Sequence, residues 1–277
     1  MVKKDKANTE DLWNDFWENK ESQSTPSYND AKYWHELNNA YYLNFWEEKL
    51  KVLKPGSKIL ECGCGSAKFS EFFARKGFEC TMMDYSDNAI QSAKINFRNN
   101  GLQGKFIVGD VNKIEMPDNS FDLVYSGGLL QHFTNISLPI EEMVRILKPN
   151  GIFAATVIPK KFSIQSIVNR LINNPILFLR KIIKKGDVIG SNMEKLSFIF
   201  VNSYKLKDYK NELEKDGIYQ IYGRCMSPFP YLLITQGGNK FYTKILKHLV
   251  PLWKKFDESS NYLTEIFGVS YNIIGKK

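Results

Sequence analysis

The chain has 277 residues, 43% of them hydrophobic and 25% charged, with 38 basic side chains against 30 acidic ones. That length suits one elaborated domain and that composition an ordinary globular protein, which excludes a disordered or fibrous chain. The 4 cysteines are scattered, which excludes a disulfide scaffold and fits a reducing cytosol.

The start, Met1 to Lys6, leads into polar and acidic residues with no apolar stretch of signal-peptide length, so a cytoplasmic location is expected. Trp13, Phe16 and Trp17 stand at helical spacing, and Ser22 to Ser27 reads as a flexible link. Asp30 to Leu53 then predicts one or two helices rich in aromatics: Tyr33, Trp34, Tyr41, Tyr42, Phe45 and Trp46. Together residues 1–55 form an expected N-terminal helical cap.

A buried strand follows at Lys58-Ile59-Leu60 and turns sharply through Glu61-Cys62-Gly63-Cys64-Gly65-Ser66-Ala67 into a helix expected from Ser66 to about Lys76. Glycines at alternate positions allow the tight turn and bring backbone N–H groups against a ligand, at the positive end of the helix. The dinucleotide pattern G-x-G-x-x-G is incomplete, because Lys68 stands where its third glycine would fall. Glu61, two residues before the first glycine, would also repel a diphosphate. The corner therefore suits a nucleoside-like ligand without phosphates. Cys62 and Cys64 have no second cysteine pair, and His35, His132 and His248 are isolated, so no metal site is expected.

A second strand, Phe78 to Asp84, delivers a carboxylate about 20 residues beyond the glycines, the separation at which an acid reaches ribose hydroxyls. A third, Phe106 to Val108, ends at Gly109-Asp110, and a fourth, Phe121 to Tyr125, ends at Ser126-Gly127-Gly128. A helix from about Leu138 to Leu147 stops at Lys148-Pro149-Asn150-Gly151, and Ile152 to Ile158 supplies a fifth strand. A carboxylate at one strand end is often only a turn former or helix cap. Three of them on one edge of an open parallel sheet make a crevice where ligands bind.

In order and spacing, residues 57–158 resemble the class I S-adenosylmethionine (SAM)-dependent methyltransferases, especially those like the ubiquinone and menaquinone biosynthesis enzymes. The resemblance implies an α/β fold: a Rossmann-like seven-stranded, mostly parallel sheet with an antiparallel closing strand and helices on both faces. It assigns Gly63, Cys64 and Gly65 to the methionine part of SAM and Glu61 to its amino end. Asp84, with Tyr85 beside it, would hold the ribose. Asp110 would accept from the adenine amino group with the Val111 backbone alongside, and Ser126 would lie near the methionine. Ala67 departs from the family, which often has glycine there. The resemblance also places Tyr33, Trp34 and His35 over the cofactor, with packing on the sheet edge as the alternative.

Methyl transfer from a sulfonium is an in-line displacement on an already activated carbon, so alignment and exclusion of water matter most. A base is needed only for an un-ionised acceptor. His132, in Gln131-His132-Phe133 beyond the fourth strand, is the candidate acid or base, with an orienting role as the alternative. Amino-group methylases of adenine or glutamine carry an Asn/Asp-Pro-Pro-aromatic tetrapeptide at this point. Here the chain has Ser126-Gly127-Gly128-Leu129, and Cys225 lies far from the place of a cytosine-methylase nucleophile. Nucleic acid is thus disfavoured as substrate. A small-molecule, glycan or lipid-intermediate acceptor is expected; an RNA-modifying enzyme and a SAM-binding protein without catalysis are the alternatives.

The basic excess is C-terminal: residues 159–277 hold 20 of the 38 basic residues and 9 of the 30 acidic ones. Lys160 to Lys185 contains no acid and 7 cations. Ile164, Ile167, Val168, Leu171 and Ile172 fit one helical face there, so the segment predicts a lid that could also touch an anionic membrane. Tyr204 to Lys215 then reads as a surface helix, Ile218 to Tyr222 as a strand, the run from Pro228 to Phe267 as a helical insertion, and Gly268 to Ile274 as the last strand. These three parts, 1–55, 56–158 and 159–277, are expected to make one overall domain of undetermined oligomeric state.

Overall fold

A computed structural model of the chain describes residues 9–18, 26, 29–183, 199–226, 229–259 and 262–277. Its centre is a seven-stranded sheet in the order β3-β2-β1-β4-β5-β7-β6. The strands are β1 (Lys58–Cys62), β2 (Glu79–Asp84), β3 (Lys105–Val108), β4 (Phe121–Gly127), β5 (Leu147–Val157), β6 (Tyr219–Met226) and β7 (Ser270–Lys276). All neighbours are parallel except that β7 runs antiparallel to both β5 and β6. The order reverses between β1 and β4, and a crevice opens at such a switch point beyond the carboxyl ends of the strands.

Both faces of the sheet are covered, so its central strands are apolar throughout rather than alternating with polar residues. On β5, Ile152 and Ala154 face one core while Phe153, Ala155 and Val157 face the other. The first core is completed by α2 (Trp34–Lys49), α3 (Lys68–Ala74), α4 (Asp87–Asn99) and α9 (Gln236–Glu258), through Leu37, Trp46, Phe69, Phe97 and Leu246. The second is completed by α5 (Ser137–Arg145) and α8 (Leu206–Lys215), through Ile140, Met143, Tyr209 and Leu213. Trp46 ties α2 to the sheet, its indole N–H donating to Thr156 Oγ1 at 3.1 Å. A short α1 (Glu10–Trp17) lies at the rim of the crevice, and α10 (Tyr262–Phe267) leads into β7.

Several boundaries moved for physical reasons. The helix after the glycines begins at Lys68, not Ser66, because Ala67 takes the left-handed conformation with φ 56°. That is the position where the family often has glycine, and only glycine occupies it without steric cost. The strand expected over 218–222 continues to Met226, past a register shift between Tyr219 and Tyr222. The basic segment forms α6 (Ile164–Val168), a π-helical turn (Asn169–Asn173) and α7 (Asn174–Ile183). The wider π turn rotates the expected apolar face. Leu171 is accordingly 68% exposed, and Asn173 is buried in its place, donating to Tyr231 O and accepting from the Leu233 N–H. Apart from Pro26, the expected link over 22–27 lies outside the described residues, as do Lys184, Lys185 and Pro228.

Candidate functional site

A cavity of about 580 Å³ opens at the carboxyl ends of β1 to β5, within the range of small-molecule sites. Its floor is Gly63 after β1, Asp84 and Tyr85 at the end of β2, Gly109 to Asn112 after β3, and Gly127 to Leu129 after β4. Each of these follows a strand because the parallel strands all end on this edge. Gly63 has φ +65°, and a Cβ there would strike Leu129, which packs directly upon it.

Asp84 is spread across the turn. Its Oδ2 accepts the Gly65 N–H at 2.8 Å and its Oδ1 the Ser86 N–H at 3.0 Å. Burial pushes its carboxyl above the usual range, and these backbone bonds oppose the shift. Asp110 is more open, with Oδ1 accepting from both the backbone and side-chain N–H of Asn112 at 2.9 Å. Val111 lines the same wall.

Four sequence-assigned positions do not line the cavity: Glu61, Cys64, Gly65 and Ser126. Glu61 is 5% exposed and turns beneath the loop, where its Oε2 accepts the Ser70 N–H at 3.0 Å. The first turn of α3 has unpaired N–H groups and a positive dipole end, which together draw in the carboxylate. Burial pushes its carboxyl up to about 7, the Ser70 bonds acting against this and the nearby Asp84 adding to it. Cys64 is buried, its N–H donating to Met83 O. Gly65 is capped by the indole of Trp17, into which a Cβ would run. Ser126 is fully buried just below the floor, and its hydroxyl has no hydrogen-bond partner among the described residues.

The roof also differs from expectation. Trp13, Phe16 and Trp17 of α1 cover the crevice, whereas Tyr33, Trp34 and His35 do not reach it. Trp34 donates its indole N–H to Phe229 O at 2.7 Å, and Tyr33 stacks on His35 with centroids 5.9 Å apart, so both belong to the α2–α9 packing. Asn14 fastens α1 down: its Oδ1 accepts from the Ser86 hydroxyl at 2.7 Å, and its carbonyl accepts from Asn88 Nδ2 at 3.0 Å. The helical spacing of the two tryptophans and Phe16 was the only sequence signal for this roof.

His132 stands at the far wall, in a 3₁₀ turn (Leu130–His132), with its ring edge-on to Trp13 at 4.9 Å. Nδ1 lies 2.8 Å from Phe200 O, an acceptor, so the neutral ring carries its hydrogen there. Nε2 is then the lone-pair nitrogen, 3.2 Å from Gln131 Nε2. Burial holds the imidazole pKa below its ordinary 6.5, with backbone bonds to Phe200 and Gly128 pulling the other way. Behind it a strap places Ile199 and Val201 on the cavity. Asn202 anchors that strap, donating to Leu130 O and Phe133 O at 3.0 Å and accepting from the Tyr209 hydroxyl. Gln131 and Asn202 are supporting residues that no sequence pattern marked, since the Ile158 N–H held by Gln131 and the Leu130 and Phe133 carbonyls held by Asn202 lie 27 to 72 positions away.

The wall toward β5 and the strap is apolar, with Leu129, Phe133, Ile158, Ile199 and Val201. The opposite wall holds the carboxylates. Among the described residues no lysine or arginine lines the cavity. The sequence of residues 60–155 matches the family model of the methyltransferase domain. This core is a class I SAM-dependent methyltransferase domain.

The methyltransferase domain is 36% identical over 104 residues to a sterol 24-C-methyltransferase of Gibberella zeae, a match covering 36% of this chain and 27% of that protein. It is 30% identical over 104 residues to a ubiquinone/menaquinone biosynthesis C-methyltransferase of Shewanella piezotolerans, covering 35% and 41% of the two. The match thus spans less than half the length of these curated relatives. Among solved structures, phosphoethanolamine N-methyltransferase 2 of Haemonchus contortus, in complex with SAM, superimposes with a TM-score of 0.57 at 19% identity, covering 85% of this chain and 52% of that one. This last likeness supports the fold alone.

Proposed function

We propose that this chain transfers the methyl group of SAM to an apolar small-molecule or lipid-like acceptor. The observation that carries the reading is the charge of the cavity: among the described residues it is lined by two carboxylates, Asp84 and Asp110, and by no lysine or arginine. A phosphate-bearing nucleotide would be repelled there, whereas the sulfonium and ammonium charges of SAM are attracted. Asp84 and Tyr85 would hold the ribose, Asp110 and Val111 the adenine, and Gly63 the methionine chain, with Cys64 and Gly65 shaping the loop beneath.

When bound, SAM supplies an activated methyl carbon. The chain's own contribution is to align the acceptor in line with it and to keep water out. The apolar wall of Leu129, Phe133, Ile158, Ile199 and Val201 would seat the acceptor, while Trp13, Phe16 and Trp17 close the crevice above. His132 borders both halves. In its neutral form it can take a proton from a hydroxyl or carbon acid at Nε2, in place of the Gln131 amide contact there, while Phe200 O holds the tautomer. The named substrates of the relatives, a sterol and a quinone precursor, support a lipid-like acceptor.

Isothermal titration with SAM, S-adenosylhomocysteine and NAD tests the cofactor. Binding of the first two and not the third is expected; binding of NAD alone would overturn the reading. Comparison of extracts from cells with and without the chain, seeking a mass gain of one methylene, would identify the acceptor.

A further inference from the structure

We propose that the outward face of α9 is a docking surface for an anionic lipid bilayer. This helix of 23 residues is the longest among the described residues. Its inner face is fully committed: Thr243, Leu246 and Val250 are buried, Trp34 N–H donates to Asn239 Oδ1 at 2.8 Å, and the Tyr41 hydroxyl donates to Asp257 at 2.8 Å. Yet four large apolar side chains stand outside that face, with Phe241 67%, Ile245 43%, Leu249 45% and Leu252 70% exposed. At about 100° per residue they fall within an arc of about 80°. An amphipathic helix that served only the core would carry polar residues there.

The next sector of the helix is basic. His248, Lys255, Lys244 and Lys240 follow in angular order beside the apolar ridge, and all four are exposed. No acidic residue occurs from Gln236 to Phe256. Lys240 rests over the Tyr33 ring at 5.6 Å without an acidic partner within the helix. An apolar ridge flanked by lysines, whose aliphatic stems can lie along it while their ammonium groups reach outward, matches a helix lying in the plane of a charged bilayer surface. Two further elements carry exposed apolar residues. Tyr262 and Leu263 begin α10, and Phe178 and Leu179 stand on α7, whose π turn is bound to Tyr231 and Leu233 just before α9.

Charge decides between occupants. A second copy docked face to face about a two-fold axis would set these lysines against one another, and like charges disfavour such pairing. A nucleic acid would satisfy the lysines but leave the ridge in water, and the helix has no arginine and, of its four aromatics, only Phe241 exposed to stack on a base. Anionic lipid answers both features at once.

The proposal does not rest on methyl transfer, so the test uses the full chain without cofactor. Sedimentation is measured with vesicles of phosphatidylcholine alone and of phosphatidylcholine mixed with phosphatidylglycerol. Binding is expected on the mixed vesicles and should fall in high salt. A triple variant, Lys240→Ser, Lys244→Ser and Lys255→Ser, should weaken partitioning by about a hundredfold, at roughly tenfold or less per cation. Phe241→Ser with Leu252→Ser should weaken it by about tenfold or more, since both positions contribute apolar area to the interface. All five side chains are exposed, and melting curves confirm that the variants fold. Absence of binding by the unaltered chain at low salt would overturn the proposal, as would undiminished binding by both variants. Loss confined to a variant lacking Lys181, Lys184 and Lys185 would move the contact to the earlier basic segment. A concentration-dependent dimer that Phe241→Ser dissociates would instead assign the face to self-association.

Discussion

Glu61→Gln provides a test of how the glycine loop is supported. The Glu61 carboxyl is buried at the start of α3, and burial raises its pKa from 4.5 to about 7. An acid whose pKa is raised on folding favours the folded state below its unfolded value, where it is protonated in both states. That stability is lost as pH climbs from 4.5 through 7, because the folded protein must then ionise a desolvated group. At about 1.4 kcal/mol per pH unit, the full span is worth about 3 kcal/mol. Glutamine keeps a carbonyl oxygen for the Ser70 N–H and cannot ionise. The variant should therefore gain stability relative to the parent by about 3 kcal/mol between pH 4.5 and pH 8, the titrations not coupled to Glu61 cancelling in the difference. Urea unfolding of both proteins across that range measures it. A difference that stays constant within about 1 kcal/mol would refute the burial argument and place the carboxylate in contact with solvent or a cation.

Replacing Asp84 by alanine should weaken SAM binding by about 1–3 kcal/mol in calorimetry, since a charged acceptor is lost and Gly65 loses its restraint; unchanged affinity in a folded variant would remove Asp84 from the ribose site. Asp110→Ala should cost more for SAM than for methionine, and equal losses would show a purely structural role. Gly65→Ala would set a Cβ within 2.6 Å of Trp17 Cη2 and force a side-chain-bearing residue to φ +51°. It should raise protease cleavage within α1, and Trp17→Ala in the same chain should relieve the clash without relieving the backbone strain of about 1–2 kcal/mol. His132→Asn should leave SAM affinity intact and lower kcat by about a hundredfold for an un-ionised acceptor. With the imidazole pKa held below 6.5, the parent's rate should be flat above pH 7 and fall only on the acid side.

The sequence by itself determined the sheet edge. Strand, glycine turn and acid recur along one stretch of chain with short local spacing, so Gly63, Asp84, Asp110 and the end of β4 could be placed on a common rim from pattern alone. The seven-stranded sheet with its antiparallel closing strand was implied by the family resemblance and is the sheet observed. What tertiary structure decided was how the rim is roofed, supported and walled. The roof is α1 rather than the start of α2, because Asn14 reaches Ser86 and Asn88, 72 and 74 positions away. Glu61 became a buried helix cap because its carboxylate accepts the open Ser70 N–H in the first turn of α3. His132 acquired its tautomer from Phe200, 68 positions along the chain, through a strap that Asn202 fastens. The π turn in the basic segment moved its apolar face by adding width to a single turn. Local periodicity carries no record of contacts at such separations, since they are selected by packing and by the need to pair buried polar groups once the sheet has formed.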